Sequence, residues 1–280
     1  MSLTKNIKFP PGLYYHKNFL NTEEKSQVLD YLMTLNPIWE DRYSLHNPPP
    51  KGDVQRQLLR PVYWLGNWQF ACLNYYHPPL GIKHRCIQAE NYPPILANIL
   101  KKIHFLAAKN IKRSDFPKNW NLNTCLINFY GNKLIDGKWT DCGRVGDHKD
   151  FEPGPVASLS FGERAYFQFV KGKKQLNQNN IIFSQWLEDN SLQIFGGKQW
   201  KDDSFHRVQR VENKMKNHIG PQIDNFVTRR INFTFRYVPK DHIYQLKDLP
   251  KEKKEDILPY LNQLKIHSPY FEKLIPKQIN

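Results

Sequence analysis

The chain has 280 residues, of which 40% are hydrophobic, 14% aromatic and 24% charged. This composition excludes wholesale disorder and the repetitive sequences of collagen or coiled coils. The 41 Lys and Arg residues outnumber the 26 Asp and Glu residues and give a formal net charge of +15. Such a charge favours polyanionic partners, nucleic acid first, although a lysine excess from AT-rich coding explains it equally well.

The start of the chain and its cysteines bear on where the protein works. Residues 1–10 lack the apolar stretch of a signal peptide, and no run of about 18 apolar residues follows. Cys72, Cys86, Cys125 and Cys142 are far apart and have no zinc-finger spacing. We therefore expect a soluble protein of the cytoplasm or nucleus with no membrane partner and with reduced cysteines in or near the core, and we favour a monomer.

Helical periodicity occurs at three places in the chain. Asn21 and Glu24 form a capping box before the first of them. Prolines and charged residues at 48–53 then predict a loop. The predicted helices cover about 22–35, 94–108 and the segment that follows Pro250.

From Thr124 onward, apolar residues recur every two positions, which indicates β-strands. The predicted strands are 124–130, 156–161, 166–170, 190–195, 205–211 and 227–238. We infer a single domain over 1–280, with helices laid on a β core. It comprises an N-terminal extension at 1–120, a core at 121–240 and a helical tail at 241–280.

Two histidines and one aspartate are candidate metal ligands. His148 and Asp150 are two residues apart, so their side chains leave an extended segment on the same side. His206 lies in a predicted strand of the same β unit. This ligand set leaves three positions of iron(II) open, and zinc uses the same set with a water molecule. H-x-D is also common in solvated loops, and a lone histidine is common in cores.

The predicted strand at 230–236 has two chemically opposite faces. Alternation sends Ile231, Phe233, Phe235 and Tyr237 to one face and Arg230, Asn232, Thr234 and Arg236 to the other. The segment holds no acidic residue, and arginine binds carboxylates through paired hydrogen bonds. The polar face suits a small dianion, unless the strand is an exposed edge protected by charge. Asn128 and Tyr130 share one face of another strand and supply an amide and a phenol.

The motifs N-x-Y, H-x-D-x-E, a distal His and R-x-N-x-T-x-R follow one another between residues 121 and 238. This order resembles the AlkB family of iron(II)- and 2-oxoglutarate-dependent dioxygenases. H-x-D with a distant His occurs across the wider superfamily, whereas two arginines six residues apart are the specific part. The resemblance implies an α+β, mainly β fold, in which a double-stranded β-helix (jelly roll) core has N-terminal and C-terminal helices packed outside.

The same resemblance implies Fe(II) as the metal and 2-oxoglutarate and O₂ as cosubstrates. The implied iron ligands are His148, Asp150 and His206. The implied 2-oxoglutarate residues are Arg230, assisted by Tyr130, at the far carboxylate, with Asn128, Asn232 and Arg236 along the rest. Arg236 is expected nearer to the end of the molecule that chelates the metal.

Three further residues are candidates for substrate contact. Glu152 occupies the position where relatives that act on bases carry an acid, and a solvated loop glutamate is the alternative. Trp68 and Tyr75 are candidates for a nucleotide-recognition lid whose aromatics stack on an extruded base, and core packing is the alternative. Basic residues of the same region suit a phosphate backbone, namely Lys51, Arg56, Arg60, Lys83 and Arg85.

The activity implied by the resemblance is oxidative demethylation of N-alkylated nucleic-acid bases in DNA or RNA, with release of succinate, CO₂ and formaldehyde. The same chemistry on a protein side chain or small molecule is one alternative, and a basic nucleic-acid-binding protein without turnover is another. The segment 211–228 is longer than in a compact relative, which would bring Lys214, Lys216 and His218 beside the site.

Overall fold

A computed structural model describes residues 9–73, 86–172, 180–211 and 217–275. The strands are β1 (Leu13–His16), β2 (Val62–Leu65), β3 (Asn67–Gln69), β4 (Cys86–Gln88), β5 (Thr124–Ile135), β6 (Lys138–Asp141), β7 (Val145–His148), β8 (Val156–Gly162), β9 (Ala165–Val170), β10 (Ile181–Leu187), β11 (Ser191–Phe195), β12 (Phe205–Gln209), β13 (Phe226–Arg236) and β14 (Ile243–Tyr244). The helices are α1 (Thr22–Met33), α2 (Pro94–Asn110), α3 (Lys251–Leu264) and α4 (Pro269–Leu274). The predicted fold class, mainly β with few helices, is confirmed.

Two antiparallel sheets form the centre of the molecule. The larger has the order β1-β11-β8-β13-β5-β2, with β6 added to β5, and the smaller has the order β10-β9-β12-β7. From β7 to β13 the chain passes repeatedly between these sheets, as in a double-stranded β-helix. A third small sheet, β14-β4-β3, lies outside them in the pairing scheme.

The predicted helices form close to their predicted ends. The Asn21 side chain accepts a hydrogen bond from the Glu24 N–H at 2.9 Å, and the Asn21 N–H donates to Glu24 at 3.2 Å, so the capping box starts α1. Pro93 precedes α2, and Pro250 precedes α3. None of the helices in the described ranges combines the length and apolar character needed to cross a bilayer.

All six predicted strands occur, as β5, β8, β9, β11, β12 and β13. Strand β13 is an interior strand because it pairs with β5 on one side and β8 on the other. Its apolar face is fully buried, with Ile231, Phe233 and Phe235 each 0% exposed. The alternative of an exposed edge strand is therefore excluded.

The C-terminal tail packs against the N-terminal extension. Tyr260, Leu261 and Phe271 belong to the same core cluster as Trp68 and the apolar face of β13. The Phe271 ring lies 5.6 Å from the Trp68 ring in an edge-to-face contact. The four cysteines all lie in the described ranges and are free and buried, as the sequence predicts.

Candidate metal and cosubstrate site

The candidate metal ligands meet where β7 and β12 pair. His206 lies directly opposite His148 in the antiparallel register, and Asp150 follows two residues after β7 ends. Their potential ligand atoms all lie within 4.8 Å of one another. The structure therefore brings together the three residues that the sequence singles out, although they span 58 positions.

The surroundings of both imidazoles favour the uncharged form, which is the form that binds a metal. The Nδ1 of His148 lies 2.8 Å from the Gly146 carbonyl oxygen, which can only accept, so this nitrogen carries the proton and Nε2 keeps its lone pair. The His206 ring is surrounded by the rings of Phe167, Phe169 and Phe195. Burial lowers the pKa of both histidines and favours their uncharged forms.

The Asp150 carboxylate is held as an anion by its neighbours. Arg236 Nε donates to Asp150 Oδ1 at 2.7 Å, and Lys201 Nζ donates to the Asp150 backbone carbonyl at 3.1 Å. Burial would raise the pKa of Asp150, but Arg236, followed by His206 and Lys201, outweighs burial and lowers it below its usual range. Oδ2 faces His206 Nε2 at 3.5 Å and has no hydrogen-bond partner among the described residues.

Arg230 is a buried cation with unused donors. Its Nη2 donates to Ser160 at 3.1 Å, and its Cζ lies 4.8 Å from the centre of the Tyr130 ring. Its Nε and Nη1 are buried and have no hydrogen-bond partner in the described part of the chain. The adjacent Arg229, by contrast, bonds to the carboxylates of Glu163 and Asp141. An arginine left in this state suits a carboxylate brought by a ligand.

The two asparagines occupy neighbouring positions on β5 and β13. Asn232 is opposite Asn128 in the register, as Arg230 is opposite Tyr130. The protein itself fixes both ends of the Asn232 amide, because Nδ2 donates to Ser158 at 2.8 Å and Oδ1 accepts from Thr234 at 2.8 Å. All five residues predicted to contact 2-oxoglutarate therefore lie on two adjacent strands.

A small pocket adjoins part of this group. Tyr130 and Arg230 line it together with Arg229, Asp141 and Glu163, and the three candidate metal ligands are absent from its lining. The pocket thus lies at the Arg230 end of the site.

The sequence model of the 2OG-Fe(II) oxygenase superfamily matches residues 12–236. The chain belongs to the 2OG-Fe(II) oxygenase superfamily. The Fe(II), 2-oxoglutarate and O₂ expected from the motifs are the cofactor and cosubstrates of this superfamily.

Solved structures that match the chain include OsALKBH1, with 22% identity, a TM-score of 0.49 and coverage of 82% of this chain and 100% of that one. The ribosomal oxygenase YcfD from Escherichia coli, in complex with cobalt and succinic acid, has 11% identity and a TM-score of 0.33. The match covers 94% of this chain and 65% of YcfD. No curated protein sequence is significantly similar to the chain.

The residues present fit the iron of a 2OG-Fe(II) oxygenase. Two neutral imidazoles and one carboxylate are the ligand set that this metal uses, and Asp150 Oδ2 is buried and has no hydrogen-bond partner among the residues that the structure describes. The lowered pKa of Asp150 means that the carboxylate needs no deprotonation before it binds a cation.

The residues predicted to contact substrate have different environments. Glu152 is not a solvated loop residue, since it is 1% exposed and lies 3.6 Å from Arg236. Trp68 is also 1% exposed, stacks on Phe70 at 4.2 Å and donates through Nε1 to Glu40 at 2.8 Å. Its position in the core corrects the lid assignment, because both its ring and its N–H are used in packing. Tyr75 lies outside the described residues.

The segment 211–228 is described only in part. His218 accepts at Nδ1 from the Thr228 N–H at 3.2 Å, so it ties its loop to β13. Lys214 and Lys216, like Lys83 and Arg85, lie outside the described residues.

The sequence interpretation missed two residues beside the site. Arg60, assigned to phosphate contact, donates through Nε to Asn128 at 2.7 Å. Lys201, in a π-helix at Gln199–Asp203 just before β12, contacts the Asp150 carbonyl. Only the pairing of β2 with β5 and of β12 with β7 brings these residues to the site, and neither pairing has a local sequence signal.

Proposed function

We propose that this 2OG-Fe(II) oxygenase oxidatively demethylates N-alkylated nucleic-acid bases. The observation that carries the proposal is Arg230, a buried guanidinium with two donor atoms that no described residue uses, on a strand with the R-x-N-x-T-x-R pattern that resembles the AlkB family. A 2-oxo diacid supplies the carboxylate that this guanidinium lacks.

In this proposal His148, Asp150 and His206 hold Fe(II), which activates O₂ for attack on an unactivated C–H bond when it is bound. Arg230 and Tyr130 bind the far carboxylate of 2-oxoglutarate. Asn128 and Arg236 line the rest of the cosubstrate, with Asn232 keeping the adjoining serine and threonine side chains in place. The residues' own contribution is orientation and exclusion of water.

The overall reaction balances without any further reactant. An N-methyl group, 2-oxoglutarate and O₂ give an N–H group, formaldehyde, succinate and CO₂. One oxygen atom goes to succinate, and the other leaves with the methyl carbon as formaldehyde.

Two features support a nucleic-acid base as the substrate. The net charge of +15 favours a polyanion. Glu152 is a buried carboxylate, and neither of its oxygens has a hydrogen-bond partner within the described ranges. Such an acceptor suits the exocyclic amine of a base, in the way that acids read cytosine N4.

The test offers the purified protein a single-stranded oligonucleotide that carries one N-methylated base, with Fe(II), 2-oxoglutarate and O₂. We expect succinate and formaldehyde in equal amounts, and neither from Asp150→Ala. Glu152→Gln should retain slow succinate formation without oligonucleotide but lose most of the formaldehyde. Glu255→Gln, an exposed change of the same charge, is the matched control and should behave as wild type.

Succinate without formaldehyde would contradict the nucleic-acid reading. That result would favour a protein side chain or a small molecule as the substrate of the same oxygenase chemistry. Absence of succinate with every substrate would contradict the oxygenase activity itself.

A further inference from the structure

Arg60 precedes β2, outside the jelly-roll strands, and yet it contacts two residues of the proposed cosubstrate site. Its Nε donates to Asn128 Oδ1 at 2.7 Å, and its Cζ lies 4.9 Å from the centre of the Tyr130 ring. The pairing of β2 with β5 explains this approach, because Val62 lies opposite Asn128 in the register and Arg60 is two residues before Val62.

Two guanidinium groups therefore contact one phenol ring. The Cζ of Arg230 lies 4.8 Å from the ring centre of Tyr130, almost the same distance as that of Arg60. Cations over an aromatic ring are attracted to it and restrict its orientation. Burial is the main factor that lowers the pKa of Arg230, and the charge of Arg60 lowers it further, so the two cations are close enough to repel each other.

An anion relieves this repulsion. With Asn128 Oδ1 accepting from Arg60, the other polar group of the amide is a donor, which suits a carboxylate. Arg60 thus fixes one cosubstrate residue by a hydrogen bond and a second by a ring contact, and it adds charge of the sign that a diacid requires.

We propose that Arg60 is a positioning and specificity residue of the cosubstrate site, which raises the affinity for 2-oxoglutarate by holding Asn128 and Tyr130 and by adding its charge to that of Arg230. The inference rests on the proposed placement of 2-oxoglutarate against Arg230. Through Arg60, the segment before β2 would then affect how tightly the site binds 2-oxoglutarate.

The test is an anaerobic titration of the Fe(II)-loaded protein with 2-oxoglutarate, followed by visible absorption. Arg60→Ala should weaken 2-oxoglutarate binding about tenfold, which corresponds to about 1.4 kcal/mol, with the Fe(II) affinity within about twofold of wild type. Arg60→Lys should restore part of the affinity, because it keeps the charge but loses the Nε donor and the planar group.

Arg56→Ala is the matched control. It removes the same charge from the same segment, and its side chain is 51% exposed and pairs with Asp53. We expect 2-oxoglutarate binding within about twofold of wild type. Equal effects of Arg56→Ala and Arg60→Ala would overturn the inference, since general charge would then account for both.

A double-variant cycle separates positioning from charge. If Arg60 acts through Asn128, the combined Arg60→Ala and Asn128→Ala variant should lose less affinity than the product of the single losses. In turnover, the KM for 2-oxoglutarate should rise by more than kcat falls. A fully multiplicative double variant would overturn the positioning role.

Failure of the inference is distinguishable from failure of the proposed function. If wild type shows no absorption change with 2-oxoglutarate, or if Arg230→Ala binds it normally, the proposed site is wrong. If wild type binds 2-oxoglutarate, Arg230→Ala binds it weakly and Arg60→Ala binds it as well as Arg56→Ala does, only the proposed role of Arg60 is wrong.

Discussion

Arg236 donates from Nε to the Asp150 carboxylate at 2.7 Å, so the last arginine of β13 bonds directly to a candidate metal ligand. The guanidinium keeps this carboxylate ionised and fixes its orientation in a buried position. Arg230 and Arg236, six residues apart on one face, therefore have different neighbours: Arg230 lies beside Tyr130 with donors that the described part of the chain does not use, and Arg236 bonds to Asp150.

Removal of the Arg236 charge should weaken metal binding. We expect Arg236→Met to lower the affinity for Fe(II), or for Co(II) as a spectroscopic substitute, by about 10- to 100-fold. Arg236→Lys should be intermediate. Equal Co(II) affinities of wild type and Arg236→Met would contradict this role.

Metal binding should persist in mildly acidic solution. Burial lowers the pKa of His148 and His206 below the ordinary 6.5, so both rings stay neutral as the pH falls past that value. A pair of exposed histidines would lose about 14-fold in affinity between pH 7.5 and pH 6.0 through protonation alone. We expect a loss below about threefold, measured by Co(II) titration. A loss of tenfold or more would mean that the rings titrate normally.

Trp68→Phe should affect stability and leave substrate recognition unchanged. The change removes one of the two indole N–H donors to the buried Glu40 Oε1, which keeps the hydrogen bond from Trp64, and it replaces a buried ring by a smaller one. We expect the free energy of unfolding to fall by about 1–3 kcal/mol, measured in urea. The affinity for a methylated oligonucleotide should stay at the wild-type value. Weaker oligonucleotide binding at unchanged stability would restore Trp68 to the substrate site.

Glu40 should make the protein less stable as the pH rises from acidic to neutral. Burial raises its pKa to about 7, against the lowering effect of hydrogen bonds from Ala71, Trp64 and Trp68. The folded state therefore keeps a proton that the unfolded chain releases near pH 4.5. This contribution to stability is complete below about pH 4.5 and is lost as the pH rises to about 7, with a size of up to about 3 kcal/mol.

Glu40→Gln should remove that part of the pH dependence. Urea unfolding at pH 5 and pH 8 measures it, with the exposed change Glu255→Gln as the control. The same difference between the two pH values in Glu40→Gln and wild type would show that Glu40 does not titrate in this range.

The sequence was most informative where local periodicity coincided with chemical contrast. In β13 the alternation of Ile231, Phe233 and Phe235 with arginine and asparagine identifies both faces. The apolar face packs in the core, and a buried face that carries arginine and asparagine indicates a binding site for a polar ligand. The spacing of His148 and Asp150 is likewise local. These patterns were sufficient to predict the candidate metal and cosubstrate residues, three of which the structure brings within 4.8 Å of one another.

Sequence patterns failed where position depended on distant pairing. Strands β1 to β4 have only three or four residues each, and β1 is placed by β11, far along the chain. A tryptophan such as Trp68 can either stack on a base or pack in the core, and the sequence does not distinguish the two. Its contacts with Glu40 and Phe70 show that it packs in the core. Arg60 was assigned to phosphate contact because its hydrogen-bond partner, Asn128, is 68 residues away and has no local sequence signal.

The convergence of two histidines and one aspartate on iron beside a 2-oxoglutarate site is tested most directly by visible spectroscopy. Under anaerobic conditions, Fe(II) and 2-oxoglutarate together should give wild type a charge-transfer band that neither gives alone. We expect Asp150→Ala and His206→Ala each to abolish this band while remaining folded by circular dichroism. A band of unchanged position and intensity in both variants would contradict the assignment of these residues to the iron.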